Sequence, residues 1–446
     1  MSDRPETFSA AIGAATLRSR AAQLYGFALS SRVEMAAIAI KLTSAFFSFL
    51  IVFLVARTSG AAVTGNYALA IATATLLSLI AVLGLDQIVT RAIGGDLRED
   101  RPDLARAALN AAVRRVAPVA MFLALATYFA APLATYIAAP PDAIRAIAVA
   151  VIAFPLLKLA VVSLRASGSV FWSQLFDGAH SLILIGILAS LLLFSDVPIN
   201  SVLVASMYSV AVATSMAAAW LMLRFRTRDW PKGARNASPM LSRSWPILAA
   251  GVGHAFVNWF VLAYVGAVLS SADVGAFRVA FQVVMLIAMM TTTIEALVNP
   301  QLAGDFRIKD IDGAWRRHRR MTLVMLLVSA PPVAICLILP EPVLTLFGPE
   351  FTIATTALVV LAAGQLANVL TGPIGGVMIM SGHERLSLVL SITGLVVAVG
   401  LSVALTPVFG LVGAATAAAG AIVTRNLAAY VIMRRKLVGS QNPAHS

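Results

Sequence analysis

The sequence has little charge and almost no cysteine. Of its 446 residues, 12% are charged and 60% are hydrophobic, with a mean hydropathy of +0.89. Soluble domains are usually near 25% charged, so this composition indicates a polytopic membrane protein. The single cysteine, Cys336, lies in an apolar run. This excludes a disulfide framework and a cysteine-based metal site.

Recognisable catalytic motifs are also missing. The chain has no Walker A loop, no GxGxxG on a strand-to-helix turn, no HExxH and no nucleophile elbow. We therefore expect no cofactor, no bound metal, no enzymatic activity and no ATP-driven pumping by this chain alone. The first 32 residues lack a compact apolar core followed by a small-residue cleavage site, so we interpret them as a cytoplasmic lead-in.

Runs of about 20 apolar residues predict twelve transmembrane helices. They lie near 33–56, 67–90, 116–138, 143–164, 170–194, 199–223, 245–269, 275–299, 321–340, 352–379, 386–406 and 410–433. The fold class predicted is therefore an all-α polytopic membrane protein.

Positive charge is distributed unevenly between the two sides. With a cytoplasmic N-terminus, the inside segments hold 27 of the 33 Lys and Arg residues, and the outside loops hold only Arg57 and Arg145. The positive-inside rule then places both termini in the cytoplasm. The net charge of +13 is thus a topology signal with contact to membrane lipids, and nucleic acid is not an expected partner.

The two halves of the chain match at an offset near 210 residues. The matched positions are Gly65 with Gly275, Tyr67 with Phe277, Asp86 with Glu295, Asp96 with Asp305, and Arg114-Arg115 with Arg319-Arg320. Two six-helix lobes related by a pseudo-twofold axis along the membrane normal are predicted, with the substrate path between them. The predicted divisions are a lead-in at 1–32, lobes at 33–223 and 245–433, a basic linker at 224–244 and a tail at 434–446.

Polar residues form one narrow face of the first span. Lys41, Ser44 and Ser48 recur at helical spacing, and the offset of 210 places Gly251, His254 and Asn258 at the same positions of the seventh span. Such faces point into protein or water. We expect them to face each other across the lobe interface. For Lys41, snorkelling to the cytoplasmic surface is the alternative.

Further polar residues are predicted within the spans. They are Asp86, Lys158, Asp177, His180, Arg278, Glu295, Gln365, Asn368 and Arg425. Charges inside a membrane indicate function by default. Simpler alternatives stay open: pairing or snorkelling near the cytoplasmic face for Asp86, Glu295 and Arg425, and a local pair for Asp177 and His180. Bends are predicted at Pro118, Pro155, Pro331-Pro332 and in "LTGPIGG" at 370–376.

Three stretches resemble a known family. They are "FLVARTSGAAVTGNYALAIATATLLSLIAVLGLDQIVTRAIGGD" at 53–96, "LFGPEFTIATTALVVLAAGQLANVLTGPIGGVMIMSGHERL" at 346–386 and "PVFGLVGAATAAA" at 407–419. They are similar to the polysaccharide-transporter, or O-antigen flippase, group. The resemblance implies the V-shaped, MATE-like fold of two six-helix lobes around a central cavity, shared with multidrug exporters and the lipid II flippase. It also implies a basic cavity, with Lys41 and Arg57 at positions where relatives carry basic residues.

The resemblance further implies transport of a polyprenyl-pyrophosphate-linked oligosaccharide, an O-antigen or exopolysaccharide repeat unit, across the bacterial inner membrane by alternating access. A polysaccharide polymerase is an expected partner. A cation-coupled multidrug exporter is the alternative, and a membrane glycan polymerase is disfavoured because all predicted outside loops are short. The cavity residues predicted are Lys41, Ser44, Ser48, Arg57, Lys158, Asp177, His254, Asn258, Arg278, Gln365 and Asn368, with Asp86 and Glu295 for gating or ion coupling.

Overall fold

The computed structural model describes residues 6–231 and 245–439. The side chains of residues 6–39 and of a few later positions, Lys41 among them, are outside this description. All regular structure in the described residues is helical. The helices are α1 (Glu6–Val82), α2 (Leu85–Arg98), α3 (Pro102–Phe129), α4 (Pro141–Ala146), α5 (Ala148–Ala166), α6 (Val170–Phe194), α7 (Ser201–Arg226), α8 (Trp245–Val268), α9 (Ser271–Arg307), α10 (Ile311–Ile338), α11 (Pro340–Thr345), α12 (Thr355–Thr371), α13 (Ile374–Met380), α14 (Glu384–Phe409) and α15 (Leu411–Gly439), with short 3-10 helices at Ala131–Ile137 and Pro349–Ala354.

The number of membrane crossings depends on how α1 is divided. Eleven helices of the described part are long and apolar enough to span a membrane, and the first of them runs from Phe46 to Val82. At 1.5 Å per residue this stretch is roughly 55 Å long, well beyond a hydrocarbon core of about 30 Å. Its backbone leaves helical geometry at Gly60 (φ 79°, ψ 179°). If the stretch from Phe46 to Val82 is divided at Gly60 into two spans, the eleven helices correspond to the twelve predicted spans.

The loop predicted between the first two spans is wrong in its extent. Only Gly60 leaves helical geometry between Glu6 and Val82, so the residues on both sides of it are helical. The predicted break at 370–376 is present, because α12 ends at Thr371 and Gly372 has a φ of 63°. Pro118, Pro155 and Pro331-Pro332 lie inside continuous helices, where the bends that they permit stay a prediction.

Polar side chains begin several of the long helices. Asn200 accepts a hydrogen bond from Leu203 N at the start of α7 (2.9 Å), and Ser270 and Asp273 form a reciprocal capping box at the start of α9. Such caps satisfy the free backbone N–H groups of a first helical turn. They fix where α7 and α9 begin.

One hydrophobic core joins the two halves of the chain, and a second belongs to the C-terminal half alone. The first core includes Val55 and Ala70 from α1 together with Val265 and Phe277 from α8 and α9. The second contains Leu302, Trp315, Val377 and Met433, and none of its described members comes from the N-terminal half. The halves therefore pack together at the end of the molecule near Gly60, whereas the far end of the C-terminal half has its own core.

The outer surface carries large apolar side chains. Phe122 on α3, Leu221 on α7, Leu327 on α10 and Val396 on α14 are all more than half exposed. A soluble protein rarely exposes so much apolar surface, whereas lipid tails favour it. These faces are oriented toward the bilayer.

Candidate functional site

The two halves approach most closely where α1 crosses α9. A Cβ atom added at Gly65 would lie 2.0 Å from Ser271 O and 2.7 Å from Gly275 N. Since real Cβ atoms do not come this close, only glycine fits. We call Ala61, Gly65, Ser271 and Gly275 the glycine crossing. It closes the space between the halves at this end.

Other contacts between the halves lie near the same end. The Phe347 ring packs edge-on against the rings of Phe49 (5.7 Å) and Phe53 (5.3 Å) of α1. Beyond Gly60, Trp259 of α8 donates a hydrogen bond to Thr73 Oγ1 of α1 (2.9 Å). The core at the opposite end contains, among the described residues, members of the second half only.

A group of polar side chains lies between α5 and α6, and we call it the first-half cluster (Lys158, Arg165, Ser173, Asp177 and His180). Lys158 Nζ donates to Asp177 Oδ1 at 2.6 Å, and each side chain is about one-third exposed. Asp177 also interacts electrostatically with Arg165 and His180. Lys158 is thus paired with Asp177, while Arg165, in the last turn of α5, donates to Ser173 Oγ (3.3 Å).

Ser44 and Ser48 contact α6 of their own half. Ser44 Oγ donates to Ile40 O (2.8 Å) and lies where a Cβ on Gly178 would be, at 1.8 Å. Ser48 Oγ is 3.1 Å from Ser181 Oγ. The prediction that this part of the first-span face points across the lobe interface is therefore wrong. A polar helix face must point into protein or water, and here a small-residue surface of α6 receives it.

A larger polar group occupies the second half. We call it the second-half cluster, and its members are His254, Asn258, Glu295, Gln365, Asn368, Arg425 and Asn426. Asn426 donates to Asn368 Oδ1, Arg425 Nε donates to Asn426 Oδ1 (3.1 Å), and Asn368 donates to Gln365 Oε1 (3.4 Å). His254 and Glu295 both interact electrostatically with Arg425. Five of the predicted site residues therefore come together around an arginine.

Exposure of this cluster varies along α8. Gly251 and His254 are exposed, Asn258 is half-buried, and the Gln365 side chain is buried with its Nε2 atom unpartnered. An exposed imidazole in the middle of an apolar helix is costly against lipid and favourable against water. We infer that this face of α8 borders an aqueous cavity rather than the bilayer.

The remaining predicted site residues lie away from both clusters. Arg57 is exposed and lines an open groove of about 700 Å³ with Phe53 and Glu341. Arg278 interacts electrostatically with Tyr67 of α1, and its place in the central cavity stays a prediction. Asp86 lies in the first turn of α2, and no described contact joins it to either cluster. The Lys41 side chain lies outside the described residues, and its role stays a prediction.

Sequence reasoning left out several members of the two clusters. For Arg425 the sequence leaves a functional role and pairing or snorkelling near the cytoplasmic face both open, and it does not predict Asn426, Arg165 and Ser173 as site residues. The adjacent Arg425-Asn426 pair in an alanine-rich span was a usable signal, because two consecutive polar residues are rare in a membrane helix. No group of three or more His, Cys, Asp or Glu side chains comes together in the described part of the chain.

Comparison with protein families gives two matches. Residues 35–300 match the family described as polysaccharide biosynthesis protein, and residues 246–404 match the MatE family. The chain is also 25% identical over 218 residues to the probable low-salt glycan biosynthesis flippase of Haloferax volcanii. That alignment covers 48% of this chain and 46% of the relative, so the match spans about half of each protein.

Solved structures share the fold at low sequence identity. An inward-facing multidrug resistance MATE family transporter of the MOP superfamily superposes with a TM-score of 0.72 at 14% identity. The superposition covers 92% of this chain and 99% of the transporter chain. The lipid II flippase MurJ in an inward closed conformation superposes with a TM-score of 0.70 at 10% identity. The superposition covers 90% of this chain and 87% of the MurJ chain. An outward-facing MATE transporter superposes with a TM-score of 0.62 at 14% identity, and the superposition covers 92% of this chain and 96% of the transporter chain. The MATE-like fold predicted from the sequence is confirmed.

Proposed function

Because the chain belongs to the polysaccharide biosynthesis protein family, we propose that it is a flippase for a lipid-linked oligosaccharide rather than an enzyme. The family match covers well over half of the chain, and the partial relative in Haloferax volcanii is a probable glycan biosynthesis flippase. The likeness to MurJ supports the fold required for such transport.

The observation that carries this proposal is the position of the two polar clusters relative to the glycine crossing. Each half contributes one cluster, and the crossing closes the space between the halves at one end. We propose that both clusters face the space between the halves, so that a substrate entering from the other end meets them. Alternating access requires a site that is open to one side at a time, and we propose that the two clusters form that site.

The chemistry of the clusters suits a substrate with a phosphate group and a neutral polar part. In the first-half cluster, Lys158 and Arg165 offer two cations against the single carboxylate of Asp177. The second-half cluster offers the amides of Asn258, Gln365 and Asn368, which both donate and accept hydrogen bonds as sugar hydroxyls require. We propose that the pyrophosphate binds to the first half and the glycan to the second.

The finer identity of the substrate follows from the same proposal. A polyprenyl-pyrophosphate carrier with an O-antigen or exopolysaccharide repeat unit fits one cationic and one amide-rich surface. The proposed location is the bacterial inner membrane, with both termini in the cytoplasm as the charge pattern predicts. A polysaccharide polymerase is proposed as the protein that receives the flipped unit.

The proposal is tested by reconstitution. The full chain is placed in liposomes with a fluorescent polyprenyl-pyrophosphate-linked oligosaccharide, and the fraction of label that a membrane-impermeant quencher reaches is followed with time. We expect protein-dependent flipping that Lys158→Ala lowers at least tenfold, while Lys436→Ala, which changes an exposed lysine of α15, has no effect. Lys41→Ala is expected to lower flipping and Lys41→Arg to retain part of it.

A second function is favoured by the match of residues 246–404 to the MatE family. A cation-coupled multidrug exporter would place a carboxylate in the cavity, and Glu295 beside Arg425 provides one. This alternative predicts transport of cationic drugs in the same liposomes and drug resistance in a sensitised host. Drug transport without oligosaccharide flipping would overturn the proposed function.

A further inference from the structure

A groove between the end of α9 and the start of α10 carries an arginine cluster that the proposed transport does not use. Its volume is about 530 Å³, and Gln301, Asp305, Asp310, Gly313, Arg316, Arg317, Arg320 and Met321 line it. The charge pattern assigns this end of the helices to the cytoplasmic side. The groove therefore lies at the predicted level of the inner-leaflet headgroups.

Arg317 is held in a fixed position within the groove. Its Nε and Nη2 atoms donate to the two carboxylate oxygens of Asp305 (2.7 and 3.2 Å), and its Nη1 atom donates to Gln301 Oε1 (2.7 Å). Such two-bond pairing is the strongest arrangement available to an arginine and a carboxylate. Asp305 is neutralised by it, so this carboxylate does not repel an anion.

Asp310 is also largely occupied by the protein itself. Its Oδ1 atom accepts from Gly313 N at 2.8 Å and caps α10, while its Oδ2 atom is 4.0 Å from Arg316. A Cβ at position 313 would lie 2.0 Å from Asp310 Oδ2, so a larger residue there would displace the capping carboxylate. Arg316 and Arg320 are both exposed and line the groove. Arg316 has the Asp310 carboxylate at 4.0 Å, and Arg320 forms no ion pair among the described residues.

An apolar path continues from these arginines along α10. Leu323 and Leu327 follow Arg316 and Arg320 at helical spacing, and they are 56% and 66% exposed. A phosphate at the arginines would place acyl chains along these leucines. Basic pockets between transmembrane helices on the cytoplasmic side bind the headgroups of anionic lipids.

We propose that this groove is a binding site for an anionic phospholipid, with Arg316 and Arg320 contacting the phosphate and Leu323 and Leu327 contacting an acyl chain. The site is independent of the transported substrate. In the first half, the match of Arg114-Arg115 with Arg319-Arg320 sets Ala111 and Ala112 at the positions of Arg316 and Arg317, so the full arginine set is not repeated there. The internal repeat thus provides a matched control within the same chain.

Native mass spectrometry of the full chain released from mixed phospholipids tests the site. We expect the protein to retain phosphatidylglycerol over phosphatidylethanolamine, and Arg316→Gln with Arg320→Gln to weaken this retention roughly tenfold or more. Arg114→Gln with Arg115→Gln is expected to leave it unchanged, and melting temperatures confirm that both variants fold. An equal loss in both double variants would assign the effect to general surface charge and overturn the proposal.

Two further measurements distinguish a lipid from free phosphate. Leu323→Gln is expected to weaken phosphatidylglycerol retention, because a phospholipid needs the apolar path and inorganic phosphate does not. Inorganic phosphate added at millimolar concentration is expected to leave the retained lipid bound. Displacement by inorganic phosphate, or no preference for phosphatidylglycerol in the unmodified protein, would overturn the assignment to an anionic lipid.

Discussion

Gly65 and Gly275, which lie 210 residues apart, contact each other reciprocally. A Cβ on Gly65 would lie 2.0 Å from Ser271 O, and a Cβ on Gly275 would lie 1.9 Å from Ala61 O, the residue that the same offset pairs with Ser271. Reciprocal contact of equivalent residues is the signature of a twofold interface. We propose that the pseudo-twofold axis of the two lobes passes between these glycines.

The first prediction concerns the stability of this crossing. Gly65→Ala is expected to cost about 1–3 kcal/mol in the conformation described, because a methyl group must displace backbone rather than a flexible side chain. The halves should therefore separate at this end. Spin labels at the exposed positions Thr58 and Leu346 would report a longer distance between the halves.

The matching change on the other half sharpens this test. Gly275→Ala should have the same effect as Gly65→Ala, and the double variant should cost less than the sum, because both methyl groups relieve their clashes by one separation. Gly400→Ala is the control, since a Cβ there meets nothing within 4 Å. An unchanged label distance in both single variants would contradict the crossing as the closed end.

The internal repeat could be found in the sequence, but the contacts of the first-span polar face could not. Gly65 and Gly275 were paired by position alone, and the structure places them together. The spacing of Ser44 and Ser48 shows that they share a face, yet it does not show what that face meets. Protein and water both satisfy a polar helix face, so only the position of Gly178 on α6 decides the matter.

Two other differences have a similar physical origin. The outside loop expected after residue 56 is helical except at Gly60, because a single residue at φ 79° and ψ 179° is enough to redirect the chain. This backbone conformation is nearly restricted to glycine. The second-half cluster depends on contacts between α8, α9, α12 and α15, and spacing along one helix carries no information about such contacts.

A second prediction separates packing from substrate binding at Ser44. Gly178→Ala should lower the melting temperature, because its Cβ would lie 1.8 Å from Ser44 Oγ and 2.6 Å from Ser44 Cβ. Ser44→Gly in the same chain should restore stability, because it removes both atoms. Ser44→Ala alone should leave flipping near the level of the unmodified protein. Lost flipping in a stable Ser44→Ala variant would instead return Ser44 to the substrate site.

A third prediction tests the link between α12 and α15. Asn426→Leu removes the partner of both Asn368 and Arg425. Interhelical hydrogen bonds in membranes contribute about 0.6–1.7 kcal/mol each, so the melting temperature should fall measurably. Thr424→Val changes an exposed position two residues away and should have little effect. Equal stability of the two variants would show that the bridge does not hold the helices together.

The fourth prediction separates a structural from a functional role for Lys158 and Asp177. The ion pair is 2.6 Å long but about one-third exposed, so solvent screening keeps its contribution to stability small. Lys158→Met alone leaves a carboxylate without its main partner and should destabilise the protein, whereas Lys158→Met with Asp177→Leu should recover stability. If Lys158 binds the pyrophosphate, the recovered double variant still fails to flip the oligosaccharide.

Asp177→Asn keeps the cation of Lys158 and removes the negative charge beside it. This variant should bind the substrate more tightly and release it more slowly, so that the apparent affinity rises while turnover falls. Flipping restored together with stability in the double variant would make the pair structural.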